Sequence, residues 1–258
     1  MKATKYAQAL RNAYTTRTAI TPLREEIGVS DLELAYQIQQ LNTEYRLDQG
    51  ARIVGKKIGL TSKAVQAQIG VDQPDFGILF DDMEVLNGLS ISVQALMQPK
   101  VEAELAFVLA EDIDVPNLTI VDLISCIDYA LPAIEIVGSR IADWNIKITD
   151  TIADNASASH FVVGHSPKTL DEFDVVDCKM TLHKNGTLAS EGTGAACLGS
   201  PLNAMLWLAN KMIEVGNPLQ AGELIFSGAV GPMVSISAGD HIVTEIEGLG
   251  KVSVSFDA

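Results

Sequence analysis

Three glutamates carry the strongest chemical signal in this chain: Glu102 and Glu104 in Pro-Lys-Val-Glu-Ala-Glu-Leu-Ala-Phe-Val, and Glu135 in Leu-Pro-Ala-Ile-Glu-Ile-Val. Each sits in an apolar, strand-like run where an uncompensated charge is expensive to bury. A cation compensates it best. Strand side chains alternate between faces, so Glu102 and Glu104 project to one side with their oxygens close enough to share an ion. Three carboxylates with open water positions suit Mg²⁺ or Mn²⁺ rather than Zn²⁺, because hard cations take oxygen ligands. The alternative is a solvated strand face, the ordinary place for charged residues. Glu135, in a second apolar segment, strengthens the metal reading, although periodicity does not say whether the two segments meet.

Lys56 and Lys57 stand in Gly-Lys-Lys-Ile-Gly-Leu-Thr-Ser, where alternation sends one lysine to each strand face. One beside a metal–carboxylate cluster could bind a substrate carboxylate or move a proton; the bland alternative is a solvated charge. Asp75 in Gln-Pro-Asp-Phe-Gly has turn chemistry and could simply shape a loop. Asp154-Asn-Ala-Ser-Ala-Ser159 is small and polar, suiting either a ligand-facing loop or an ordinary helix end. Gly228-Ala-Val-Gly-Pro-Met233 is either a close backbone approach to a ligand or a strand bend. There is no dinucleotide fingerprint, P-loop or nucleophile elbow, and the histidines lack ligand spacing.

The elements that must position these groups divide the chain in two. Residues 1–50 read as helical: Tyr6, Leu10 and Tyr14 share a face, and Ser30-x-x-Glu33 is a capping box before Leu34, Ile38, Leu41 and Tyr45. Residues 51–258 read as a mixed-β body forming one continuous unit, with a short helix from Ser62, another over Val121 to Tyr129, and a third starting at Ser200-Pro201. Asn87-Gly88 and Asn185-Gly186 are hairpin-turn signals. The class is α+β, with an N-terminal helical segment and a largely antiparallel or mixed sheet.

With 258 residues, 47% of them hydrophobic, the chain can bury a sizeable core. A formal charge of −15 disfavours nucleic acid and anionic membranes. Cys126, Cys178 and Cys197 have neither disulfide nor zinc spacing. No signal-peptide core or long apolar run is evident, so a cytoplasmic location is expected.

Taken in order, Ala19-Ile-Thr-Pro-Leu-Arg24, Lys57-Ile-Gly-Leu-Thr-Ser62, Val71-Asp-Gln-Pro-Asp-Phe-Gly77, Val101-Glu-Ala-Glu104, Leu131-Pro-Ala-Ile-Glu-Ile-Val-Gly-Ser-Arg140, Ala153-Asp-Asn-Ala-Ser157 and Gly228-Ala-Val-Gly-Pro-Met-Val234 resemble the 2-keto-4-pentenoate hydratase and 4-oxalocrotonate decarboxylase group of the fumarylacetoacetate hydrolase superfamily. The resemblance covers almost the whole chain. It implies a body of the fumarylacetoacetate hydrolase C-terminal-domain type, with Mg²⁺ or Mn²⁺ on Glu102, Glu104 and Glu135. It also implies that Lys57 faces the substrate, that Lys56 points outward, that Asp75 is the active-site aspartate, and that Ser157, with Ser159 as competitor, contacts substrate. The segments at 71–77, 138–144 and 228–233 look like the monocarboxylate hydratases of aromatic meta-cleavage catabolism, which add water to 2-hydroxypenta-2,4-dienoate to give 4-hydroxy-2-oxopentanoate. Decarboxylases of the group tend to read Gly-Gly-Ile-Thr at the last of these. A 4-oxalocrotonate-type decarboxylase, an acylpyruvate C–C hydrolase and a non-catalytic partner of a decarboxylase are the other readings. The resemblance further implies a homo-oligomer, pentamer or decamer, and association with a pathway enzyme.

Overall fold

The opening helices form as α1 (Lys2–Thr16), α2 (Arg24–Ile27) and α3 (Leu32–Asp48) in the computed structural model, which describes residues 2–63, 66–67 and 71–258. Tyr6 and Leu10 are buried on α1, but Tyr14, expected beside them, is exposed. The cap of α3 is Asp31, whose carboxylate accepts from the Leu34 amide at 3.0 Å, and not the Ser30 box. Standing one residue later, Asp31 is correctly placed to satisfy a first-turn amide. The helix expected from Ser62 runs into residues outside those described.

Two sheets make the body. The larger runs β2 (Asp75–Phe80), β1 (Ile53–Gly59), β9 (Leu224–Phe226), β4 (Lys100–Leu109), β5 (Ile127–Val137), β6 (Ala158–Val163), with β10 (Val234–Ser235) also paired to β4. The smaller runs β3 (Ser90–Ser92), β12 (Gly250–Asp257), β11 (His241–Ile246), β7 (Lys179–Lys184), β8 (Thr187–Thr193). Both are mixed: β1 is parallel to β9 and β3 to β12, while the remaining pairs are antiparallel. Asn185-Gly186, both at positive φ, turn β7 into β8 as a tight hairpin. Asn87-Gly88 also turns, yet makes no hairpin, because β3 beyond it pairs with β12 instead.

Three further α-helices among the described residues are α4 (Ile120–Ser125), α5 (Ile148–Ala153) and α6 (Pro201–Glu214). The helix expected over Val121 to Tyr129 stops early because β5 claims the chain from Ile127. As expected, α6 starts on a Ser200 cap with Pro201 in its first turn. The main core joins Leu105, Phe107 and Phe226 of the larger sheet to Leu182, Ile242 and Val254 of the smaller and to Met205 and Leu208 of α6. A second cluster packs Tyr6, Leu10 and Ile38 against Ile148 and Ile152 of α5. The buried Gln39 amide donates to the carbonyls of Phe76 and Ile152, at 2.9 and 3.0 Å, so α3 braces both β2 and α5. Arg24 pairs with Asp150 at 2.6 Å and holds the other side of α5. Among the described residues no helix is long and apolar enough to cross a membrane.

Lys56, expected to point outward to solvent, is only 1% exposed. On the face of β1 away from Lys57, its Nζ lies 2.5 Å from Glu223 Oε1. Replacing Glu223 with alanine leaves a buried ammonium without its carboxylate, an arrangement that costs about 3–5 kcal/mol. Urea unfolding should show that loss while turnover per folded molecule stays unchanged, which separates the structural lysine from its neighbour.

Candidate active site

In the antiparallel β4–β5 ladder Glu102 stands directly opposite Glu135. Cross-strand partners share a face, and Glu104 shares it with Glu102 by alternation. One oxygen from each of the three carboxylates lies within 4.8 Å of the others. Glu104 and Glu135 are fully buried and Glu102 is half-buried. Glu104 Oε2 accepts from the Gly228 amide at 2.7 Å, but its other oxygen and both oxygens of Glu135 have no hydrogen-bond partner. Such groups are costly unless something else neutralises them. A hard divalent cation fits this all-oxygen set.

The electrostatics point the same way. Burial, reinforced by the charge of Glu135, pushes Glu102 up to about 7. Burial and the other two glutamates hold Glu104 well above the usual carboxylate range. Burial also raises Glu135, against the pull of Lys57. A carboxyl raised on folding binds more protons in the native state, so ionising it destabilises the fold. The metal-free protein should therefore lose stability as pH rises from 6.5 to 8, the window that contains Glu102. His160, lowered to about 4 chiefly by burial, acts in the opposite sense but only below its ordinary 6.5. Denaturant titrations in chelator at the two pH values check this, and saturating Mg²⁺ should abolish or reverse the slope.

Lys57 and Asp75 reach the same centre from β1 and β2. Gly59 pairs with Asp75 in the ladder, and Lys57, two residues earlier, shares its face. A Cβ on Gly59 would lie 2.2 Å from Asp75 Oδ1 and 3.3 Å from Lys57 Nζ, so the two side chains close over a position that only glycine can fill. Lys57 Nζ donates to the Ala156 carbonyl at 2.9 Å and stands 3.4 Å from Glu135 Oε2, an ion pair rather than an aligned hydrogen bond. Burial alone would lower the pKa of Lys57. The surrounding Glu135, Asp75, Glu102 and Glu104 outweigh it and hold the side chain as an ammonium, above the usual lysine range. Neither Asp75 oxygen has a well-formed hydrogen bond. Burial raises that carboxyl, while Lys57 and the Thr151 hydroxyl pull it back.

Ser157 Oγ is 3.3 Å from Thr151 Oγ1, which links it towards Asp75. Ser159 instead contacts His160 Nδ1 at 3.0 Å and lines a separate cavity of about 730 Å³ between α1, α3 and β6, on the far side of the 154–158 segment. The geometry thus separates the two serines and puts Ser157 with Lys57. Asn155, Ala156 and Ser157 all have left-handed backbones, with φ of 56°, 49° and 60°. Each such non-glycine residue costs of the order of 1–3 kcal/mol. Gly228, at φ 95°, lies so near Thr61 that a Cβ would sit 2.4 Å from its hydroxyl; this is close approach to the protein's own threonine, with the freed amide turned onto Glu104. Sequence reasoning missed Thr151 and Asn155, for which the one available signal was that asparagine tolerates left-handed backbone.

Residues 55–256 match the family described as fumarylacetoacetate (FAA) hydrolase C-terminal. The chain is 52% identical over 252 residues to the TodF product hydratase of Pseudomonas putida (strain F1), covering 98% of this chain and 94% of that one. It is 50% identical over 254 residues to 2-keto-4-pentenoate hydratase 1 of Dechloromonas aromatica (strain RCB), covering 98% and 97%. Among solved structures, 4-oxalocrotonate decarboxylase from Pseudomonas putida G7, complexed with magnesium and adipate, aligns with a TM-score of 0.95 at 33% identity, over 98% of this chain and 97% of that one. Helices leading into mixed sheets, a buried three-carboxylate cluster and about 50% identity over nearly the whole chain to proteins named hydratases together place the chain in the fumarylacetoacetate hydrolase family, within its 2-keto-4-pentenoate hydratase group.

Proposed function

We propose that this chain is a metal-dependent hydro-lyase that adds water to 2-hydroxypenta-2,4-dienoate to give 4-hydroxy-2-oxopentanoate in aromatic meta-cleavage catabolism. The observation that carries the reading is one sheet face on which a buried ammonium, Lys57, stands between a three-carboxylate cluster and the unpartnered Asp75, in a chain half identical to proteins named hydratases. Glu102, Glu104 and Glu135 would hold Mg²⁺ or Mn²⁺, which would supply Lewis-acid stabilisation of developing negative charge.

The dienol tautomerises to the 2-oxo-3-enoate, whose C4 is electrophilic. Water adds at C4, and the resulting enolate takes a proton at C3. Lys57, held as an ammonium, pairs with the substrate carboxylate and delivers protons. Asp75 orients the attacking water and takes its proton; the burial that lifts its pKa makes it the stronger base. Ser157 contributes a hydrogen bond. The same reading treats residues 51–258 as the catalytic body and 1–50 as the helical segment that braces it. It also includes a cytoplasmic location, a pentameric or decameric homo-oligomer and association with a pathway enzyme.

The test is the fate of freshly generated 2-hydroxypenta-2,4-dienoate with metal-stripped protein, before and after Mg²⁺ or Mn²⁺ is added, followed by product mass and ultraviolet absorbance. Metal-dependent gain of one water is expected. Persistence or mere tautomerisation of the dienoate would reject the reading and bring forward 4-oxalocrotonate and acylpyruvates as substrates.

A further inference from the structure

The structure assigns Asn155 as a positioning residue that holds Lys57 in register with Asp75 through a left-handed turn, which Arg140 braces from its other side. The assignment rests on the hydratase reading above for what Lys57 does, but not for where it is held. The Ala156 carbonyl is the group that fixes Lys57 Nζ at 2.9 Å, and it lies in the middle of three consecutive left-handed residues. A turn of that kind does not persist by local preference in L-residues. Its surroundings must over-determine it.

They do so from both ends. Asn155 Oδ1 accepts from the Ile78 amide at 2.8 Å and its Nδ2 donates to the Ile78 carbonyl at 2.9 Å, which pins the turn to β2 one residue from Gly77, the ladder partner of Lys57. The nearby Gly77 leaves room for this, since a Cβ there would meet the Asn155 carbonyl at 2.4 Å. On the other side the Arg140 guanidinium donates to the carboxylate and the carbonyl of Asp154 and to the Ala158 carbonyl, while its own amide donates to Asp154 Oδ2 at 2.9 Å. The Gly138 amide donates to the Ser157 carbonyl at 2.9 Å. None of these groups touches the glutamate cluster, so releasing them should move Lys57 and Ser157 without disturbing the metal ligands.

Two variants test this, Asn155→Ala and Asn155→Gly; the second keeps a residue at ease at positive φ and removes only the amide clamp. Each is followed by steady-state kinetics, Mn²⁺ titration and competitive acetylation of lysines read by peptide mass spectrometry. Lys56, equally buried but on the opposite face of β1, is the internal control. We expect kcat to fall about 10- to 100-fold, the size of effect that small misplacements produce. KM should rise as Lys57 leaves the substrate carboxylate, Mn²⁺ affinity should stay within about threefold, and Lys57 should become acetylated while Lys56 stays protected. Wild-type kcat with Lys57 still protected overturns the assignment, as does joint exposure of both lysines, which would mean general loosening. If wild type fails to hydrate the dienoate, the hydratase reading falls, while the acetylation contrast still decides the positioning role.

Discussion

Replacing Lys57 with methionine lowers kcat by about 10²- to 10⁴-fold, the usual worth of a positioned proton donor, while the protein still takes up Mg²⁺. Methionine keeps most of the side-chain volume, so the loss reports the ammonium and not a cavity. The affinity for Mg²⁺ should hold or tighten, because the variant removes a positive charge that faces all three glutamates. Lys57 is also the cation that partly offsets Glu135 in the metal-free protein, so metal dependence of the melting temperature should grow. Turnover kinetics beside isothermal titration calorimetry separate these effects. Unchanged kcat in a metal-saturated variant would remove Lys57 from the mechanism.

Changing Glu104 to glutamine should abolish measurable turnover and yet raise the melting temperature of the metal-free protein. Glu104 is wholly buried, is repelled by Glu135 and Glu102, and leaves one oxygen without a partner. Glutamine preserves an acceptor for the Gly228 amide and removes the charge. Loss of a direct ligand should weaken Mg²⁺ binding by at least the 10- to 100-fold that loss of an outer partner costs. Wild type should gain about 2.7 kcal/mol at a hundred times Kd, and the variant at most about 0.4–1.4 kcal/mol at the same concentration. Thermal melts with and without Mg²⁺ read both signs. A metal-free variant that melts below wild type would show that the cluster is held by something other than a missing cation.

Alternation along one strand was enough to put Glu102 and Glu104 on a common face, but the meeting of Glu135 with Glu102 depends on the register of β4 against β5, which periodicity does not encode. The burial of Lys56 was hidden for a similar reason: its carboxylate, Glu223, is distant in sequence and arrives only because β9 lies beside β1. Local competition explains the smaller errors. Asp31 captured a cap expected of Ser30, and β5 ended a helix expected to reach Tyr129. Asp75, whose residues read as a turn, begins β2 instead, because pairing with Gly59 gives its backbone a ladder partner. Ser157 could be separated from Ser159 only once the left-handed turn between α5 and β6 was seen, since small polar residues fit many loop shapes equally well.

Consecutive lysines on one strand pose a problem of mistaken identity. If β1 slid by one residue towards its C-terminal end, Lys56 would occupy the place of Lys57, and every side chain would change face. The two glycines that flank the pair make this slip unworkable. Val54 would land where a Cβ stands 1.8 Å from the Leu224 carbonyl oxygen, and Ile58 where one stands 2.2 Å from Asp75 Oδ1. Gly55 and Gly59 therefore act as spacing gauges for the assembling sheet, admitting β1 in the single alignment that sends the correct ammonium to the carboxylates.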